Sequence, residues 1–265
     1  MNIYEWNIHM AATFPCNNGY VIQTWVADEI FKDEPDCVVL TEFVVSKGWD
    51  YLQRELEKKN YNWFISNITG QNGILIALKR NDTYDFSDVF GYKNETINSS
   101  EVLAKKQAVI LLPNFYEIRI KINKEVVSII GARIRDAQNT AQFQALDDYL
   151  STLKHKVICV GDFNAYWAGK WNSPANHTLS KTSRSYDLYT PPYKEGPDWY
   201  SFVHSNGDRV QLDHLITNIK SSHIIVKYDW DFINQNNGYN NIQKNIPNKP
   251  KGLPDHAILK AEIDF

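Results

Sequence analysis

The sequence predicts an α/β (α+β) fold in which two β-sheets pack face to face with helices on the outside. Three observations carry that expectation. Short runs of β-branched, aliphatic and aromatic residues recur from end to end, segments with helical spacing are few and lie between them, and no apolar run approaches the roughly 20 residues of a membrane helix. With 43% hydrophobic and 13% aromatic residues over 265 positions, the chain carries enough apolar side chain for a large core. No internal repeat and no clear linker divides it, so residues 1–265 are read as one domain.

The first element is a strand, because Asn2-Ile3-Tyr4-Glu5-Trp6-Asn7 alternates from the start. From Tyr20 to Asp33, Val21, Ile22, Trp25, Val26 and Ile30 fall at helical spacing on one face, and Pro35 separates that helix from the strand Cys37-Val38-Val39-Leu40-Thr41-Glu42. Lys47 to Lys59 reads as a second helix, with Trp49, Leu52 and Leu56 on one side. Trp63-Phe64-Ile65 and Gly73 to Leu78, joined through Thr69-Gly70-Gln71-Asn72, read as a hairpin. Further strands are expected at Ala108 to Leu112, Tyr116 to Ile122 and Val126 to Ile134. A third helix is expected from Thr140 to Leu153, facing Phe143, Leu146, Tyr149, Leu150 and Leu153 inward. Lys156 to Val160 follows as a strand. After a long irregular stretch, Tyr200 to Val203 and Val210 to Thr217 flank Asn206-Gly207, a strong hairpin signal. Strands at Ile224 to Tyr228 and Ala257 to Phe265 complete the chain.

Composition narrows the function. A net charge of -3 and a pI near 6.2 argue against a broadly basic protein that coats nucleic acid, so any polyanion must be met by a local group of cations. The N-terminus has neither a basic segment nor a long apolar one behind it, and Cys16, Cys37 and Cys159 lack metal-ligand spacing. A reducing cytoplasmic setting, no disulfide framework and no zinc site are the expectations.

The chemistry is concentrated where strands end. Gly161-Asp162-Phe163-Asn164 closes the apolar run that ends at Val160, and period-two alternation would send Asp162 and Asn164 to the same side. A carboxylate that takes a proton from water, beside an amide that hydrogen-bonds an oxyanion, suits hydrolysis of a phosphate ester, although Gly, Asp and Asn are also ordinary turn residues. Other strands end in the same manner: Asn7 after the first, Glu42 after the second, Asp213 after Val210-Gln211-Leu212, and Asp255-His256 after Gly252-Leu253-Pro254.

In that chain order these residues resemble the endonuclease/exonuclease/phosphatase superfamily, the fold of pancreatic deoxyribonuclease and the exonuclease III-type repair nucleases. The resemblance runs from Trp6-Asn7 to Asp255-His256, and its most specific parts are Gly161 to Ala165 and the terminal Asp-His. It implies a four-layer sandwich, two mainly antiparallel sheets between outer helices. It implies Mg²⁺, with Mn²⁺ as an alternative, held by Glu42 with Asn7 and, on the second side, Asp255. Asp162 would activate the attacking water, Asn164 would bind phosphate, and Asp213 would orient His256, which stabilises transition-state charge. Oxygen ligands without a Cys or His cluster agree with such a cation.

One position departs from the pattern. Where many members have His, or Tyr in the repair nucleases, Ile130-Gly131-Ala132-Arg133-Ile134-Arg135 presents Arg133. Arg133 and Arg135 share a strand face and would offer guanidinium forks to a phosphate, but a guanidinium is no general acid, and Arg135 can equally pair with Asp136. Among weaker signals, His9 and the aromatics Trp167, Trp171 and Trp199 read more readily as packing residues than as substrate contacts. The Asn-rich segment from Asn234 to Lys251 reads more readily as a polar loop than as a track for a phosphate backbone.

The resulting expectation is a divalent-metal-dependent phosphodiesterase, a nuclease with DNA or RNA as substrate. The alternatives are a phosphatase or phospholipid phosphodiesterase and, from another class, a non-catalytic phosphate-binding scaffold. No apolar hairpin for membrane insertion and no dense Lys/Arg cluster for an inositol polyphosphate is visible, which favours the nuclease.

Overall fold

The computed structural model describes residues 1–8, 22–46, 48–66, 73–80, 84–85, 97–98, 114–134, 140–165, 186–204, 207–235 and 254–265, and the structural statements below concern these. Strand β1 (Asn2–Asn7) is followed by helix α1 (Thr24–Ile30), β2 (Cys37–Phe43), α2 (Trp49–Lys58), β3 (Tyr61–Ile65) and β4 (Gly73–Lys79). The short strands β5 (Tyr84–Asp85) and β6 (Ile97–Asn98) precede β7 (Asn114–Ile122), β8 (Glu125–Arg133), α3 (Thr140–Thr152) and β9 (Lys156–Asp162). Then come β10 (Asp187–Tyr189), β11 (Phe202–Val203), β12 (Arg209–Val210), β13 (Asp213–Thr217), β14 (Ile224–Asp229), α4 (Asp231–Gln235) and β15 (Ile258–Ile263).

One sheet has the order β14-β15-β1-β2-β4-β3. The other runs β10-β13-β9-β8-β7-β5, with β6 also paired to β7. Pairing is antiparallel except for β1 with β2 and β8 with β9, and those two parallel pairs lie where the chain crosses over through a helix. The four-layer, mainly antiparallel sandwich expected from the sequence is the fold observed.

Alternation along the strands builds the layers. Ile3, Cys37, Val39, Ile74, Ile76, Val127, Ile129, Ile158, Val160 and Leu215 form the core between the sheets. The opposite residues of the first sheet, Tyr4, Trp6, Val38, Leu40 and Leu75, pack under α1 and α2 against Val26, Ile30, Leu52 and Leu56. Ile130, Ala132, Val157 and Cys159 of the second sheet do the same under Phe143, Leu146 and Leu150 of α3. Gly131 marks a close approach of the sheets: a Cβ there would meet Ile74 Cγ2 at 2.7 Å and Val39 Cγ1 at 2.8 Å. Cys37 and Cys159 are buried and unbridged, as small core residues.

Helix α1 is shorter than the expected Tyr20 to Asp33, and Tyr20 and Val21 lie outside the described residues. The start of α2 depends on Gly48, at φ +96°, where a Cβ would stand 2.1 Å from the Ile22 carbonyl oxygen. The proposed turn at Thr69 to Asn72 and the strand at Ala108 to Leu112 also lie outside the described residues.

The hairpin expected between Tyr200 to Val203 and Val210 to Thr217 forms, but the extent of its second arm is corrected. Only Phe202 and Val203 pair with Val210 and Arg209; the chain then leaves that ladder, and β13 joins the other sheet beside β9. Side chains make the break: Ser201 Oγ accepts from the Leu212 N–H at 2.8 Å and the Asp213 N–H at 3.1 Å, and Gln211 Nε2 donates to the Pro191 and Trp199 carbonyls. Those bonds replace ladder pairing, so a run that looks like one strand is two.

Candidate active site

Glu42 shows how local backbone sets the site. Along β2, Cys37 and Val39 face the inter-sheet core and Val38 and Leu40 face the helices, so strict alternation would turn Glu42 toward the helix layer. The register with β4 shifts between Leu40 and Phe43, and Glu42 adopts φ +51°. That bulge re-aims the carboxylate inward, at a backbone cost of about 1–3 kcal/mol for a non-glycine residue in this region. There Glu42 Oε1 accepts from Arg133 Nη2 at 2.5 Å and from Asn7 Nδ2 at 3.4 Å.

Asp162 and Asn164 do meet, but not by strand alternation. Asp162 ends β9, Phe163 is buried, and Asn164 turns back in the left-handed region at φ +48°, a conformation that Asn tolerates. Its backbone N–H donates to Asp162 Oδ1 at 2.8 Å, while its Nδ2 donates to Asp162 Oδ2 at 3.0 Å and the Ile134 carbonyl at 2.7 Å. Asn7 Nδ2 adds a further bond to Asp162 Oδ2 at 2.9 Å, so both sheets contribute to holding one carboxylate. Gly161 lets β9 lie this close to β8, since a Cβ would fall 1.8 Å from the Ala132 carbonyl oxygen.

Asp213 pairs across the ladder with Asp162, and Arg133 pairs with it from the other side. The Asp213 carboxylate takes His256 Nδ1 at 2.8 Å, and the Trp6 indole donates to the His256 carbonyl at 3.0 Å, tying the end of the chain to β1. Phe202 covers the imidazole at 4.7 Å between ring centres. Ligand atoms of Asp162, Asp213 and His256 lie within 4.8 Å of one another.

The electrostatics follow from burial. Burial pushes the Asp162 carboxyl up, to about 7; His256 and Arg133 oppose that rise and Asp213 adds to it. For His256, burial works against the charged ring, but Asp213, Asp162 and Asp255 outweigh it and hold the imidazole well above its ordinary value. That direction favours a protonated ring, with Nδ1 facing Asp213.

The fold thus gathers Asn7, Glu42, Arg133, Asp162, Asn164, Asp213 and His256 at one end of the sandwich. Asp255 is half-buried beside His256 and acts on it through charge. Arg135, His9, Trp167, Trp171 and the lysines of the Asn-rich segment lie outside the described residues. Trp199 is half-buried and packs on Tyr193 and Tyr200. His214, beside Asp213, points the other way and bonds the Ala165 carbonyl at 2.8 Å.

Sequence reasoning missed Glu5. It is fully buried, accepts the Thr41 hydroxyl at 2.9 Å, and its carboxyl is raised well above the ordinary range by burial and by the charges of Asp213 and Asp162. The signal was present, since Glu5 precedes Asn7 by two positions and shares its face.

The fold is that of the endonuclease/exonuclease/phosphatase proteins. The chain superposes over its full length on a family protein of that description from Leptotrichia buccalis, also covered in full, with TM-score 0.65 and 15% identity. Truncated TDP2 from Caenorhabditis elegans is similar at TM-score 0.63 and 14% identity, covering 98% of this chain and 96% of that one. The Neisseria 3′ phosphatase NExo, bound to a product DNA hairpin, gives 0.61 and 16%, with both chains covered completely. No family model and no curated protein matches the sequence.

Proposed function

We propose that this protein is a divalent-metal-dependent phosphodiesterase, a nuclease that hydrolyses DNA or RNA by in-line attack of water on phosphorus. The observation that carries the reading is the convergence on Asp162: a buried carboxylate oriented by Asn7 and Asn164, beside an imidazole paired with Asp213. Asp162, ionised, takes the proton of the attacking water. Asn164 and Arg133 bind phosphate oxygens, with Arg135 as a further candidate. His256, oriented by Asp213, meets the charge that builds up on phosphorus.

Mg²⁺ or Mn²⁺ fits the donor set. Glu42 is aimed inward from a bulge, Asp213 Oδ1 is buried with no donor among the described residues, and carboxylates outnumber the imidazole at this end of the sandwich, although Arg133 occupies Glu42 Oε1. Glu42, with Asn7 and Asp255, would hold the ion, which supplies charge neutralisation at the phosphoryl group when bound. Solved neighbours support a nucleic-acid substrate, since Danio rerio TDP2 is seen with a single-strand DNA product and NExo with a DNA hairpin. Because NExo is described as a 3′ phosphatase, a terminal phosphomonoester is the second substrate to test.

The test is plasmid nicking, hydrolysis of bis-p-nitrophenyl phosphate and phosphate release from 3′-phosphorylated DNA, each with Mg²⁺ or Mn²⁺. Asp162→Ala and His256→Ala should each lower turnover by about 10²–10⁴ while near-ultraviolet circular dichroism stays native. Near-normal rates in either variant, or no turnover by the parent protein on any substrate, would overturn the reading.

A further inference from the structure

We propose that Arg133 sets the metal affinity of this site: its guanidinium and a divalent cation are alternative partners of the Glu42 carboxylate, and the guanidinium turns to substrate phosphate when the cation takes that carboxylate. The inference rests on the proposed function, which has Glu42 as a cation ligand.

Three observations carry it. Arg133 Nη2 lies 2.5 Å from Glu42 Oε1, the oxygen that also faces Asn7 Nδ2, so a positive charge already sits at the intended ligand atom. Both side chains are largely buried, 13% and 8% exposed, where water screens the pair poorly and repulsion between guanidinium and cation is strong. The Arg133 Nε–H is buried and finds no acceptor among the described residues. A guanidinium with one edge on a carboxylate and another N–H unsatisfied has donor capacity left for an anion, which a phosphate oxygen would fill.

The geometry also gives the direction of the exchange. Arg133 and Gly131 share the inward face of β8, and Asp162 is the register partner of Arg133 on β9, so a modest swing moves the guanidinium from Glu42 toward the group that activates water. One cation leaves the carboxylate as the other arrives, and the divalent ion brings one positive charge more than the guanidinium, which an arriving phosphate would offset.

The experiment is calorimetric titration of Mn²⁺ into the parent protein, Arg133→Gln and Glu42→Gln. Arg133→Gln should bind Mn²⁺ about tenfold more tightly than the parent, the usual scale of coupling between linked ligands, and Glu42→Gln more weakly. Mg²⁺ should also tighten binding of inorganic phosphate in the parent, and do so less in Arg133→Gln. Arg133→Met, which is uncharged at every pH, should show the same gain and decides the matter if the Gln variant fails to fold. Weaker Mn²⁺ binding in Glu42→Gln without any gain in the Arg133 variants would overturn this proposal alone. Unchanged Mn²⁺ affinity in Glu42→Gln would overturn the metal reading of Glu42 and the proposal with it.

Discussion

Glu5→Gln should stabilise the protein, and by more as pH rises. Glu5 is fully buried beneath the site; Oε1 accepts the Thr41 hydroxyl at 2.9 Å, and Oε2 has no partner among the described residues. Burial first, then the charges of Asp213 and Asp162, hold its carboxyl well above the ordinary 4.5. In the interval between 4.5 and the native value the folded chain keeps a proton that the unfolded chain has released. Stability therefore falls as pH rises across that interval, by up to about 1.4 kcal/mol per pH unit. Glutamine keeps the shape and the Oε1 acceptor but has no proton to lose, so it is spared this slope. Urea unfolding followed by tryptophan fluorescence between about pH 4 and pH 8, in EDTA to exclude divalent ions, measures the difference. A small, constant difference at the acid end should grow with pH. A difference that stays flat over the whole range would mean that Glu5 titrates like an exposed carboxylate, and the reasoning would fail.

Asp213→Asn should lower the His256 titration, read from imidazole nitrogen shifts, because the negative partner at 2.8 Å is gone; an unmoved titration would break the proposed pair. With the Asp162 carboxyl raised to about 7, turnover should rise with pH as Asp162 ionises, and a bound cation should pull that limb to lower pH. A rate profile that stays flat from about pH 4 to about pH 8 would count against Asp162 as the base. Gly131→Ala should cost about 1–3 kcal/mol in urea unfolding, since its Cβ would press on Ile74 and Val39 of the facing sheet; a neutral result would show that Val39 and Ile74 yield easily.

Much of the architecture was legible because alternation and helical spacing are local properties. Ile3, Val39 and Ile129 could be assigned to one sheet face, and Phe143, Leu146 and Leu150 to one helix face, without knowing what they would touch. Chain order at strand ends was also legible, which is why Asn7, Glu42, Asp162, Asp213 and His256 could be named together. The break between Val210 and Asp213 was not, because it depends on Ser201 and on carbonyls of Pro191 and Trp199 that compete for the same chain. Glu5 was legible in principle from its spacing to Asn7, but only burial against two other carboxylates makes it unusual.

By itself, then, the sequence determined the layer pattern and the cast of polar residues, since both follow from period and position along the chain. Tertiary structure decided how those residues are aimed. The bulge at Glu42, the left-handed turn at Asn164 and the pairing of Arg133 with a carboxylate 91 positions away arise from register between strands and from charge brought together in a poorly screened interior. Neither register nor burial is a property of any local stretch of sequence.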